Sequence, residues 1–96
     1  MSVPDLNVER LQRLLPKAAK ILAEIDEEEW SKRCLSAVEE TRAGSLAFVP
    51  TLWDFFAPTC EWDDLTVGFG EESTRLGNDL FAALDALAQQ HGLHPR

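Results

Sequence analysis

The chain has 96 residues, of which 45% are hydrophobic and 27% are charged, and its formal net charge is −8. This composition is typical of one globular domain spanning residues 1–96, and it excludes a disordered chain. No apolar run approaches the ~20 residues that cross a bilayer. The negative charge argues against direct nucleic-acid binding, because phosphates need a basic surface. The first residues lack the pattern of a signal peptide, so we expect a cytoplasmic protein without a membrane partner.

The first predicted helix runs from about residue 5 to residue 25. Its apolar residues are spaced 4, 3, 4 and 3 apart, which is the rhythm of a helix that packs on other helices. They are Leu11, Leu15, Ala18, Leu22 and Ile25. Pro16 interrupts this stretch, and it either kinks one helix or separates two. The unbroken apolar rhythm favours a single kinked helix.

The second predicted helix runs from about residue 27 to residue 43. Asp26 precedes it, and Glu29 follows three residues later, which together predict a capping box. Gly44 marks the expected C-terminal end. Trp30 and Cys34 begin the inward face of this helix.

The third predicted helix covers residues 45–56, the most apolar segment of the chain. Pro50 either opens a new helix there or kinks this one. A buried strand over residues 46–49 is the competing interpretation. We favour a helix, because the apolar residues keep helical spacing through Phe56.

Residues 57–72 are predicted to form one longer irregular loop, in which residues 65–69 suggest a short extended piece. The last helix begins near Ser73 or Thr74 and ends near Gln90, before Gly92. Gly77 lies inside its pattern and suggests a close helix crossing. The predicted fold class is therefore all-α, a compact bundle of about four helices with one irregular loop.

The most distinctive local feature is Trp62 among acidic residues. One interpretation places its ring in the core while the acids face water. The other makes Trp62 an interface anchor, with the acids matching a basic protein partner, since tryptophan is enriched at binding hot spots. The second interpretation predicts a partner-binding set that consists of Glu61, Trp62, Asp63, Asp64, Glu71 and Glu72.

Four basic residues lie on one side of the first predicted helix, away from the leucines: Arg10, Arg13, Lys17 and Lys20. Such a face can contact RNA or anionic lipid. We favour a solvated face whose charges balance neighbouring acids, because the whole molecule is strongly negative.

Catalytic and metal-binding motifs are absent from the sequence. Neither His91 nor His94 is preceded by an acid at ExxH spacing, and there is no GxSxG, HExxH or phosphate-binding glycine loop. Cys34 and Cys60 form no CxxC pair, so a zinc site is unsupported, and a cytoplasmic location favours free thiols over a disulfide. We expect a non-enzymatic protein without a metal or another cofactor.

Three features occur in an order that resembles a group of small all-helical bacterial proteins of the toxin-immunity and accessory type. They are Trp30 with Leu35, the apolar stretch 52–56, and Asp64 followed by Leu65. The loop at residues 57–64 departs from the glycine-rich loop of that group. The resemblance implies a non-catalytic protein that is produced beside a toxin.

The sequence thus predicts a small acidic binding protein, an immunity or antitoxin-like inhibitor that occludes the active or substrate-binding surface of a basic toxin or nuclease. One alternative is a phage-type anti-defence protein that mimics nucleic acid. The other is a non-catalytic structural subunit that forms a helical homodimer, whose exposed apolar residues bury each other.

Overall fold

The computed structural model describes residues 5–57, 61–68 and 70–93, and these ranges contain five α-helices and no strand. The helices are α1 (Leu6–Glu24), α2 (Glu28–Arg42), α3 (Val49–Phe56), α4 (Glu61–Leu65) and α5 (Glu71–His91). Helix α1 packs on α2 and α5, and α3 packs on α5 and α4. The all-α bundle predicted from the sequence is confirmed.

The aliphatic core lies between α1, α2 and α5. Helix α1 is one continuous helix through Pro16, as the unbroken apolar rhythm predicted. Its leucines and alanines are buried against small residues of α2 and leucines of α5. The fully buried residues of this core include Leu11, Leu15, Ala18, Leu22, Cys34, Ala37, Leu80, Leu84 and Leu87.

Helices α1 and α2 run antiparallel and are joined by two polar contacts. Ser31 donates a hydrogen bond from Oγ to the Ala19 carbonyl oxygen over 2.8 Å. Further along, Gln12 Nε2 donates to Thr41 Oγ1 over 2.9 Å. Because buried hydroxyl groups need partners, these contacts fix the relative register of the two helices.

The connection between α1 and α2 differs from the predicted capping box. Asp26 has a left-handed backbone, with φ at 62°, and terminates α1 instead of capping α2. The Glu27 N–H donates to the Leu22 carbonyl over 2.8 Å, which is the long hydrogen bond of a Schellman motif. Glu27 is the N-cap of α2 and makes no side-chain capping bond. Asp26 therefore adopts the left-handed backbone that the Schellman motif at the C-terminus of α1 requires, and not the conformation of an N-cap of α2.

Helix α3 begins at Val49, four residues later than predicted. Gly44 has φ at 84°, and the Ser45 N–H bonds to the Glu40 carbonyl, so the chain turns sharply after α2. Pro50 lies in the first turn of α3, where its missing N–H costs no helical hydrogen bond. Residues 45–48 form neither the predicted helix nor the alternative strand.

The loop predicted over residues 57–72 contains the short helix α4. The extended piece predicted over residues 65–69 is not present, because its described residues belong to the end of α4 and to a turn. Leu65 ends α4, and residues 66–68 form the turn, while Phe69 lies outside the described residues. Helix α5 begins at Glu71, two residues earlier than predicted, with Gly70 as its N-cap. None of the described helices is long and apolar enough to cross a membrane.

Candidate functional site

Trp62 is the residue that holds α4 in place. Its side chain is fully buried, and its Nε1 donates a 2.9 Å hydrogen bond to the Ser73 carbonyl oxygen in the first turn of α5. Its ring lies 5.1 Å from the Phe56 ring and 6.3 Å from the Phe55 ring, centroid to centroid. A five-residue helix is too short to be stable alone, so these contacts maintain α4.

Gly77 makes room for the indole of Trp62. A Cβ at this position would overlap Trp62 Nε1 and Cδ1, which it would meet more closely than atoms can approach. The close approach suggested by a glycine inside the α5 pattern is therefore present. It accommodates a side chain of α4 at the surface of α5.

Two buried hydroxyl groups fix the turn between α4 and α5. Thr66 Oγ1 donates to the Trp62 carbonyl over 2.7 Å, one helical turn back. Ser73 Oγ donates to the Gly70 carbonyl over 2.9 Å. Both hydroxyl groups and the indole N–H therefore have the partners that buried polar groups need.

The acids of the predicted partner-binding set lie around this docked tryptophan. Glu61, Asp64, Glu71 and Glu72 are exposed, and Asp63 is half-buried. We call the five acids the acidic surface. The four exposed members form no salt bridge with another described residue. The structure thus gathers the predicted acids at α4 and the first turn of α5.

A groove of about 710 Å³ runs between α4, the turn and α5. Asp63 and Glu71 line it from the acidic surface, and Arg75 lines it from the next turn of α5. Val67 lies at the turn beside them and is 81% exposed. The short extended piece expected over residues 65–69 gave Val67 no role as a contact point, although an apolar residue next to a glycine in a turn is a signal for one.

Trp62 itself corrects the anchor hypothesis. A fully buried ring offers no area to a partner in this conformation. The alternative that the sequence left open, a core tryptophan beneath solvated acids, is the arrangement that the structure has. Trp62 positions the acidic surface and does not form part of it.

The basic side chains of α1 are exposed, as expected for a solvated face. Arg10, Arg13, Lys17 and Lys20 make no salt bridge within the described ranges. The two ion pairs found there are both local to α2, where Arg42 Nη1 lies 3.0 Å from Glu39 Oε1.

The remaining candidate groups that lie within the described residues show no reactive arrangement. Cys34 is a free, fully buried thiol, and burial raises its pKa from 9.0 to about 12. A thiol with so high a pKa is a poor nucleophile at neutral pH. His91 is exposed at the end of α5, whereas Cys60 and His94 lie outside the described residues. Among the described side chains, no three His, Cys, Asp or Glu residues are grouped to hold a metal ion.

Comparison with known proteins finds no matching family model, no matching curated protein and no matching solved structure.

Proposed function

We propose that this protein binds a basic protein partner through the acidic surface formed by α4 and the first turn of α5. The observation that supports this most strongly is the placement of four exposed carboxylates without ion-pair partners among the described residues, on a segment that Trp62 docks. Because these four carboxylates are not engaged in ion pairs within the described residues, they can contact a basic partner surface without first breaking such pairs.

We expect the acidic surface to raise the association rate and the specificity of binding more than the affinity. Carboxylates at the rim of an interface steer a cationic partner, while apolar contacts and desolvated groups at its centre supply most of the binding energy. In this chain Val67 is the exposed apolar side chain beside the groove. A lysine or arginine side chain of the partner that enters the groove meets Asp63 and Glu71 there.

In its sharpest form the proposal is an immunity or antitoxin-like inhibitor that acts in the cytoplasm. Its small size, its net charge of −8 and its resemblance to small immunity-type proteins support this form. Inhibition then consists of covering the active or substrate-binding surface of a basic toxin or nuclease. A standard interface of about 800 Å² per partner is a modest share of the 5963 Å² of accessible surface.

The test is affinity capture from the cells that make the protein, with two matched variants. The first variant carries Glu61→Gln, Asp64→Asn, Glu71→Gln and Glu72→Gln. The control carries Glu9→Gln, Glu24→Gln, Glu28→Gln and Asp54→Asn, which are exposed acids elsewhere. Both variants change the net charge from −8 to −4, so global charge is held equal.

We expect the wild type and the control to retain one stoichiometric basic protein, and the first variant to bind it about 10- to 100-fold more weakly. Circular dichroism confirms that both variants are folded. Equal capture by both variants, or a captured partner without a basic surface, contradicts the proposal.

A further inference from the structure

Helix α1 has an exposed face on which every charged side chain from residue 10 to residue 20 is a cation. Arg10, Arg13, Lys17 and Lys20 are spaced 3, 4 and 3 residues apart, which places them on one side of the helix. We call this face the basic stripe. None of its four members pairs with a described acid, although the chain has 17 acidic residues.

The basic stripe borders an apolar groove between α1 and α5. The groove has a volume of about 340 Å³. Its apolar lining comes from Leu14 and Ile21 of α1 and from Leu76 of α5, and the last two are only half-buried. A partly exposed apolar strip flanked by charges has the composition of an interface core with a polar rim.

The two edges of this groove differ in charge. Lys17 lines the α1 edge, whereas the α5 edge contributes Glu72 and Asp79 together with Arg75. The α1 edge is therefore purely basic and continues into the basic stripe. The α5 edge is mainly acidic.

We propose that this α1–α5 face binds a second copy of the chain in a two-fold symmetric dimer. In such a dimer the same patch faces itself. A two-fold axis along the helices places the α1 edge of one copy opposite the α5 edge of the other, so that cations meet carboxylates. An axis across the helices places the basic stripe on itself and is disfavoured by charge. The dimer therefore has its axis along the helices and the apolar groove at its centre.

The net charge of −8 on each copy does not prevent this contact. At physiological salt the Debye length is about 8 Å, so charges far from the interface are screened while the facing edges interact directly. Of the acidic surface, only Glu72 lies in this dimer interface, and its other four members remain available. Glu71 lines the groove beside α4, whereas Glu72 lines the groove beside α1, so the two interfaces use adjacent sides of α5.

The first test is sedimentation equilibrium over about 10 to 500 μM with two charge-matched variants. Arg13→Glu with Lys17→Glu reverses the centre of the basic stripe. Lys32→Glu with Arg42→Glu reverses two exposed cations of α2 and makes the same change in net charge. We expect a dimer for the wild type and for the α2 variant. We expect the dimer dissociation constant of the α1 variant to be at least about ten-fold higher than that of the wild type.

The second test locates the interface with an equal mixture of ¹⁴N- and ¹⁵N-labelled wild-type protein treated with a carbodiimide. The proposal predicts mixed-label cross-links that join Lys17 or Lys20 of one copy to Glu72 or Asp79 of the other. A monomer across the whole concentration range overturns the proposal. Equal weakening by both variants, or mixed-label cross-links confined to other faces, overturns it as well.

Discussion

The α1–α2 pair and helix α4 are stabilised in different ways. In α1 and α2 the contacts repeat along the helices, and aliphatic side chains at regular spacing are buried turn after turn. In α4 a single residue, Trp62, makes the decisive contacts, and its partners Ser73 and Gly77 lie in another helix. The comparison indicates that the α1–α2 pair tolerates the loss of one contact better than α4 does.

The largest expected effect is that of Trp62→Ala. Removing a fully buried tryptophan costs about 3–5 kcal/mol of unfolding free energy, and it also removes the contacts that dock α4. We expect urea unfolding monitored by circular dichroism to show this loss, and binding of the captured basic partner to weaken. Leu15→Ala is the control in the repeating core, because it lowers stability while leaving α4 docked. Equal effects of the two variants on partner binding would contradict the distinction.

The second effect is the pH dependence that Cys34 contributes. Its pKa is raised by burial from 9.0 to about 12, so above pH 9 the unfolded chain loses this proton while the folded chain keeps it. Stability is therefore unaffected below pH 9 and falls by about 1.4 kcal/mol per pH unit between pH 9 and pH 12. The measured quantity is the difference between the wild type and Cys34→Ala in urea unfolding, which removes the contribution of other groups. A difference that does not change with pH would show that the thiol is not desolvated.

Gly77→Ala tests the close approach of α4 to α5. The added methyl group would overlap the indole of Trp62. Because the surrounding side chains must shift to make room, we expect the free energy of unfolding to fall by about 1–3 kcal/mol. Asn78→Ala, at the next and exposed position of α5, is the control and should leave stability unchanged or slightly raised. Thermal unfolding of the two variants measures the contrast. If Gly77→Ala is as stable as Asn78→Ala, the indole does not lie against Gly77.

The smallest expected effect is a stabilisation by Asp26→Gly. Each of the helices α1, α2 and α5 is followed, within two residues of its last helical residue, by a residue at positive φ. These residues are Asp26, Gly44 and Gly92 respectively. Glycine adopts this conformation without the steric cost that a Cβ brings. We expect Asp26→Gly to gain about 0.5–1 kcal/mol and Gly44→Ala to lose about 1 kcal/mol in urea unfolding. A loss of stability in Asp26→Gly would mean that its carboxylate matters more than its backbone.

The sequence predicted the helices whose signals are local. The apolar spacing of α1 and the glycines after α2 and α5 led to element bounds within one or two residues of those observed. The beginning of α3 and the role of Asp26 were predicted wrongly. At Asp26, the signal that ends α1 prevailed over the capping signal for α2. After Gly44, the turn that ends α2 prevailed over the apolar spacing that predicted a helix from residue 45. Local spacing does not reveal which of these signals is stronger.

The candidate site was predicted only in part. The acids around residues 61–72 were recognised from their density, because charge is visible in sequence. Helix α4 was not predicted, and the burial of Trp62 was one of two interpretations that the sequence left open, since both features depend on contacts between residues 11 to 15 positions apart. A glycine inside the α5 pattern was the available signal for a close approach, but the sequence did not show that Trp62 fills the space.

The measurement that tests this account most directly is hydrogen exchange of the three tryptophan indole N–H groups by NMR. Trp62→Phe assigns the Trp62 resonance. Trp30 is the internal reference, because it is half-buried and its indole N–H makes no hydrogen bond with a described residue. The account predicts that the Trp62 indole proton exchanges about 1000-fold more slowly than that of Trp30, because α4 must undock to expose it. Equal exchange rates would mean that Trp62 is accessible, and they would restore it as a surface anchor for the partner.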